Sequence, residues 1–274
     1  MNIRQYLNFQ DGYYRINREE RNLAAIFYHT LLLGDNLKRF LEFLKCDFPI
    51  KEKETAIYFE YAFLRDLWNS IKKDNKEEKN RFKRKLILDL LNPANRDELE
   101  KMSIYEFNSY FGAVRTLSSD SIVSPGNWSI KYYDKNITDN DEFLKICKFK
   151  WSFNAKPDVV IHTTNDTAIC IEAKYESGEG KYPSNRDERE IFKRRFGQNR
   201  SEDSYLVGQL SIQKKIMEEL LGIKTLFLFL VQKKGNNSEP AIQTITWNEA
   251  FQNLDTENCP YFVKEWINRP ELIT

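Results

Sequence analysis

Between Lys224 and Gln232 the chain reads KTLFLFLVQ, an unbroken apolar run with none of the alternation of a strand that has one wet face. It predicts a strand covered on both sides, the kind found in the middle of a sheet flanked by helices. A membrane helix needs about 20 apolar residues, and the uncharged apolar stretch from Thr225 to Gln232 falls far short of that. The material for such a core is present, because 274 residues at 41% hydrophobic can bury a large interior. Nineteen Phe against only ten Gly and eight Pro also exclude a low-complexity or disordered chain.

The rest of the sequence supplies the helices. Glu20–Leu33 is rich in Ala and Leu and is stopped by Gly34, and Leu37–Leu44 continues in the same style. Ala56–Ile71, Phe82–Leu91 (ended by Asn92-Pro93) and Asp97–Phe111 (closed near Gly112) read as further helices. A turn cluster at Ser124-Pro125-Gly126-Asn127 is taken as the boundary between a mostly helical N-terminal region, 1–123, and a mixed core, 124–274. Beyond it, Trp128–Tyr133 reads as a strand and Asp139–Lys148 as a short helix. Asp158–His162 and Thr167–Lys174 form a hairpin, Glu202–Leu221 a long helix, and Ile242–Trp247 a strand. Short helices close the chain around Glu249 and Val263. This order predicts an α/β protein with a mixed sheet flanked by helices.

Composition narrows the setting. The opening segment MNIRQYLNFQDG lacks the apolar core of a secretory signal, and Cys46, Cys147, Cys170 and Cys259 form no CxxC and have no close His partner. Reduced thiols in a cytoplasmic protein, away from membranes, are expected, without structural zinc or disulfides. Forty-two basic and forty-one acidic side chains nearly cancel, yet Lys72–Lys85 (KKDNKEEKNRFKRK) and Lys181–Arg200 (KYPSNRDEREIFKRRFGQNR) are locally rich in base. Each reads either as a solvated charged surface or as a surface suited to a phosphate backbone.

Chemistry concentrates in Lys156–Lys174, KPDVVIHTTNDTAICIEAK. Of four acidic-x-Lys pairs in the chain, only Glu172 and Lys174 end an apolar strand, directly after Ile169-Cys170-Ile171, where charge is costly unless it is used. Residues two apart on a strand share a face. Whether Asp158 joins them depends on the hairpin. A two-residue loop at Asn165-Asp166 pairs Asp158 with Ala173 and sends the carboxylates to opposite faces. A three-residue loop, Thr164–Asp166, pairs Val160 with Cys170 and sets Asp158 against Glu172. In the second register two carboxylates and an ammonium surround one point, an arrangement able to hold a hard cation; in the first, Glu172 and Lys174 are a strand-end ion pair.

Pro157-Asp158 followed by Glu172-Ala173-Lys174 resembles the signature of the PD-(D/E)XK nuclease superfamily, whose fold is the restriction-endonuclease-like mixed sheet. Gly208-Gln209 is similar to that superfamily's Gln-bearing helix, TLFLFLV to its next strand, and Glu20 to its early helix-borne Glu. The resemblance implies that Asp158, Glu172 and the backbone carbonyl of Ala173 bind Mg²⁺, with Mn²⁺ as a substitute. It also implies that Lys174 handles the attacking water, that Gln209 steadies Lys174, the water or a phosphate oxygen, and that Glu20 is an outer or second-metal ligand. Read from residues alone, Glu20 is equally an N-terminal charge on its helix dipole, and Gln209 a solvent-facing helix residue.

The implied activity is Mg²⁺-dependent hydrolysis of nucleic acid, foremost as a DNA endonuclease in restriction or defence. Lys181, Lys193, Arg194 and Arg195 are expected to grip the backbone, on a segment that orders on binding; Glu176 is a further candidate contact. Homodimerisation is left open. His162 lies too far along its strand to take part, and Gly178-Glu179-Gly180-Lys181 departs from a phosphate loop because Tyr182 follows the lysine. Two other readings suit the same residues: an inactive nucleic-acid-binding module, and an interaction scaffold working through its helical half.

Overall fold

The computed structural model describes residues 19–113, 120–175, 178–198, 201–234 and 242–268. The opening segment, Glu176 and Arg200 lie outside the described residues. In chain order the elements begin with α1 (Glu20–Leu31), α2 (Asn36–Phe43), β1 (Ala56–Phe59), α3 (Phe63–Ser70) and α4 (Lys76–Leu91). Next come α5 (Arg96–Lys101), α6 (Ile104–Tyr110), a 3₁₀ turn (Pro125–Asn127), α7 (Ile130–Tyr133) and α8 (Asn140–Ser152). The hairpin strands are β2 (Val159–His162) and β3 (Thr167–Ala173), followed by β4 (Lys181–Tyr182), α9 (Arg186–Phe196), α10 (Glu202–Tyr205) and β5 (Val207–Gly208). The helix α11 (Gln209–Lys214) runs on as a π-helical turn (Lys215–Leu220) before β6 (Lys224–Val231), β7 (Gln243–Thr246), α12 (Trp247–Gln252) and α13 (Tyr261–Ile267).

The protein is a mixed α/β structure built on a five-stranded sheet of order β1-β2-β3-β6-β7. The pairs β1–β2 and β2–β3 are antiparallel, whereas β3–β6 and β6–β7 are parallel. The apolar run is thus an interior strand, and its neighbours Phe227 and Leu228, which point to opposite faces, are both buried. Among the described residues no helix is long and apolar enough to cross a membrane.

The chain divides into two compact units: Met1–Tyr61 with Pro157–Gly178 and Ile223–Thr274, and Ala62–Lys156 with Glu179–Gly222. The expected boundary at Ser124–Asn127 falls inside the second unit. The five-stranded sheet belongs wholly to the first. There, Val159, Ile161, Ile169, Ile171, Leu228 and Leu230 share one buried cluster with Leu23, Phe27 and Phe40 of the first two helices and with Trp247 and Phe251 of α12. The second unit is helical with a two-stranded ribbon, β4–β5, and its interior is aromatic: Phe111 stacks on Trp128 at 4.0 Å, and Phe143 lies 5.7 Å from Phe192.

Four expected elements are corrected. Ala56–Ile71 is not one helix, because Ala56–Phe59 pairs with β2 as an edge strand and Glu60 then turns through φ 51°. Asp97–Phe111 is broken at Ser103, which starts a new helix through a capping box: its hydroxyl accepts from Glu106 N–H at 3.2 Å, and the Glu106 carboxylate accepts from Ser103 N–H at 2.8 Å. Trp128–Tyr133 is not a strand: after the Pro125 3₁₀ turn Trp128 and Ser129 are extended, and Ile130–Tyr133 is a helical turn. Glu202–Leu221 is interrupted because Val207-Gly208 pairs with Lys181-Tyr182.

Candidate active site

The hairpin loop decides the site. Thr163 N–H donates to Thr167 C=O at 3.0 Å, and the Thr167 hydroxyl lies 2.7 Å from the hydroxyls of both Thr163 and Thr164. The loop is therefore Thr164–Asp166, and Val160 pairs with Cys170 and Val159 with Ile171. One step further along that register Asp158 stands opposite Glu172. By the pleat, both belong to the face of Val160 and Cys170, with Lys174 two residues beyond Glu172. The sheet's parallel strands β3, β6 and β7 end at the same edge as this group, and it is at carboxyl ends of parallel strands that α/β sheets place their ligands.

Backbone contacts fix Asp158 and Lys174. Glu60 N–H donates to Asp158 C=O at 2.8 Å and Tyr61 N–H to Pro157 C=O at 2.9 Å, so the end of β1 clamps the Pro-Asp step. The Asp158 carboxylate accepts from Ala173 N–H at 2.8 Å, tying one strand end to the other. Lys174 N–H donates to Leu230 C=O at 2.7 Å, while its carbonyl accepts from the indole Nε1 of Trp247, itself fully buried, at 3.0 Å. Trp247 was invisible to motif reading; it lies 73 residues downstream, and nothing local marks it as a support of the Lys174 backbone.

The side chains then form a charged cluster. Lys174 Nζ donates to Glu172 Oε1 at 2.7 Å, and Glu172 is only 3% exposed. Glu20, first residue of α1, brings Oε1 to 3.6 Å from Lys174 Nζ and accepts from Tyr175 N–H at 2.9 Å through Oε2. Glu20 is thus an acid at a helix start and a member of this cluster. Burial alone would lower the Lys174 pKa, but the charge and hydrogen bond of Glu172, with Glu20 and Asp158, hold it above its ordinary value. Burial pushes the Asp158 carboxyl up to about 6, against the opposing pull of the Ala173 amide, Lys174 and Arg21, and with Glu20 adding to the rise. Arg21 is itself paired with Glu60 at 2.8 Å.

That raised carboxyl has a consequence for stability. Between its ordinary value of 3.8 and about 6 the native state binds the Asp158 proton more tightly than the unfolded chain, so stability falls as pH rises through that window. Asp158→Asn keeps an acceptor for Ala173 N–H and removes the titration. In metal-free protein the variant should melt above the parent at about pH 8, with the gap closing as pH falls through the window. Thermal melts across that range check this; equal melting temperatures at the alkaline end would contradict it.

The remaining sequence candidates lie in or near other structures. His162 is packed against Tyr58 and Tyr61, with ring centroids at 5.8 and 5.7 Å, and burial lowers its pKa against a backbone hydrogen bond at Thr164 that raises it. Gln209 belongs to the second unit: its N–H donates to Gly180 C=O at 2.8 Å, and its side chain lies so close that a Cβ on Gly180 would meet Oε1 at 2.9 Å. Glu179 packs likewise against Gly208 and accepts from Leu210 N–H at 2.9 Å. Gly178–Lys181 therefore builds the start of the ribbon, and Lys181 pairs with Gly208.

Most of the basic segment is an ordered helix, α9, rather than a loop. Arg195, expected to grip nucleic acid, has partners within the chain. It is bonded within its own unit to Asp134 Oδ1 at 2.6 Å, Asn140 Oδ1 at 3.0 Å and the carbonyls of Asp134 and Ile137, and its side chain is 12% exposed. Arg194 pairs with the same Asp134 but remains largely exposed. Lys193 lines a shallow recess with Arg186, Arg189, Glu190 and Tyr205.

Among the described residues no three His, Cys, Asp or Glu side chains are grouped as a metal cage. Mg²⁺ does not require one: it keeps several waters and takes one or two carboxylates. Two carboxylates on paired strands, with the neighbouring Ala173 carbonyl, make an all-oxygen donor set of that kind. No protein-family model, curated protein or solved structure matches the chain.

Proposed function

We propose that this protein is a Mg²⁺-dependent nuclease that hydrolyses phosphodiester bonds, foremost a DNA endonuclease on a restriction-endonuclease-like fold. The observation that carries the reading is the hairpin register, which sets Asp158 opposite Glu172 on the face that also bears Lys174. The order of elements supports it: a Glu20-bearing helix, the Asp158 and Glu172 hairpin, a Gln209-bearing helix, and a strand parallel to β3 follow the sequence resemblance.

In this reading Asp158, Glu172 and the Ala173 carbonyl hold the ion. Bound there, Mg²⁺ would acidify its water and offset the negative charge of the phosphodiester. Lys174 carries the rest of the chemistry. Its ammonium neutralises Glu172 and Glu20 in the metal-free chain, and it would hydrogen-bond the attacking water and stabilise the charge that grows on the phosphate. Glu20 keeps that ammonium protonated and oriented. The Trp247 indole and Leu230 carbonyl hold its backbone, so that the long side chain starts from a fixed point. A restriction or defence role follows from the resemblance alone.

Incubation of the full chain with supercoiled plasmid tests the reading. Nicking or linearisation with Mg²⁺ and none with EDTA is the expected result; an intact plasmid with Mg²⁺ and with Mn²⁺ would overturn it and favour a binding module.

A further inference from the structure

The other basic stretch, Lys72–Lys85, carries none of the residues proposed for hydrolysis. It lies in the second unit, in the lead-in to α4 and on the helix itself, which Asn75 caps by accepting from Glu77 N–H at 2.8 Å. Lys73, Lys76, Lys79 and Lys83 line one recess with Asn80 and Ser121. Two of these lysines are neutralised, Lys73 by Glu78 at 3.3 Å and Lys76 by Asp120, and Asp74 also lies on this wall.

Lys79 and Lys83 differ. They stand one turn apart on α4, and neither forms an ion pair with a carboxylate among the described residues. Like charges at that spacing repel. Lys83 is fixed in place by Trp68, whose ring centroid is 4.3 Å from Nζ. The opposite side of the recess is fixed as well. Asn80 donates to Asp120 C=O at 2.8 Å and accepts from Ile122 N–H at 3.0 Å, which pins the segment carrying Ser121. Partial burial and the neighbouring charge of Lys79 hold the Lys83 pKa below its ordinary value. Two unneutralised ammoniums held together at a formed recess are stabilised by an anion. A phosphate oxygen suits them, since an ammonium acts as a compact point charge and needs no planar partner.

We propose that this recess binds phosphate through Lys79 and Lys83, and that the phosphate belongs to a nucleic-acid backbone, giving the protein an anchoring site besides its hydrolytic residues. The choice of nucleic acid rests on the proposed function. The phosphate chemistry rests on the recess itself.

Binding is measured by fluorescence anisotropy of a labelled duplex oligonucleotide, in EDTA, with the full chain carrying Asp158→Ala. The same chain bearing Lys79→Gln and Lys83→Gln is compared with it, and a Lys79→Arg, Lys83→Arg pair preserves the charge. Each lost phosphate contact lowers affinity about eightfold at about 0.1 M salt, so two lower it roughly sixtyfold and make the slope of log K against log salt shallower by about 1.8. The Arg pair should bind within a few-fold of the parent. Equal affinity and slope in the Gln pair would overturn the proposal.

A calorimetric titration with inorganic tripolyphosphate separates the two claims. If the parent binds tripolyphosphate but not the duplex, and the Gln pair binds neither, the recess stands as a phosphate site while its nucleic-acid ligand falls, and the nuclease reading is decided separately by plasmid cleavage with the wild-type chain. If the parent binds neither, the recess proposal falls.

Discussion

Asp158→Ala, Glu172→Ala and Lys174→Ala should each reduce plasmid cleavage by about 10²–10³-fold or more, the usual effect of removing one preorganised electrostatic group. The three differ in what they remove. Loss of either carboxylate takes away a ligand for a hard cation, so both variants should also need more Mg²⁺. Loss of Lys174 leaves the carboxylates in place but removes the ammonium that lies 2.7 Å from Glu172. Its effect should fall on the rate rather than on the metal requirement. None of the three should unfold the chain, because they sit at strand ends while the sheet's buried cluster is built from their neighbours Val159, Ile171 and Ala173. Asp158→Asn and Glu172→Gln serve as isosteric controls, and circular dichroism verifies the fold. Wild-type rates in all three alanine variants would remove the site assignment.

The second large effect concerns the packing that delivers Glu20 to the cluster. Phe27 is fully buried two turns along α1, with its ring edge-on to Phe40 at 5.2 Å, Phe251 at 5.8 Å and Trp247 at 6.1 Å. Phe27→Ala should cost about 3–5 kcal/mol, combining lost burial with the cavity left between three rings. A domain's whole stability is about 5–15 kcal/mol, so the variant is left marginal. The same rings position Trp247 behind Lys174 and hold α1 with Glu20 at its start, so cleavage should fall along with stability. Urea unfolding followed by tryptophan fluorescence checks this. A loss below about 1 kcal/mol would mean that α1 is not anchored through Phe27.

Much of the first unit was legible because its signals are local. KTLFLFLVQ announced an interior strand, and the Ala- and Leu-rich run Glu20–Leu33, stopped by Gly34, announced a helix. The hairpin was legible as a hairpin, but its loop length was not. The choice between two and three residues is settled by the hydroxyls of Thr163, Thr164 and Thr167, which close on one another across the turn. That contact decides the face on which Asp158 lies.

Two of the corrected elements and the role of Trp247 share a physical cause. Ala56–Phe59 is as apolar as a helix, and it becomes a strand because β2 offers it an edge. Val207-Gly208 is lifted out of a helical run by Lys181-Tyr182, a partner 26 residues earlier. Trp247 supports Lys174 from the far side of β6 and β7 in the chain. Pairing of this kind is non-local and leaves no trace in periodicity. The break at Ser103 is different: Ser103-Ile104-Tyr105-Glu106 is a capping-box pattern that could have been read. The turn cluster at Ser124–Asn127 marks a loop, and two separate segments, 62–156 and 179–222, combine into one unit around it.

Hydrolysis of a phosphodiester by Asp158, Glu172 and Lys174 with a divalent ion is the activity we propose. It meets its most direct test in one time course of supercoiled plasmid, run with wild-type chain and with Glu172→Gln, each in Mg²⁺ and in EDTA. Only wild type with Mg²⁺ should convert the plasmid to nicked or linear form. Conversion that survives in EDTA or in Glu172→Gln, or a plasmid left intact by wild type with Mg²⁺, would contradict the claim.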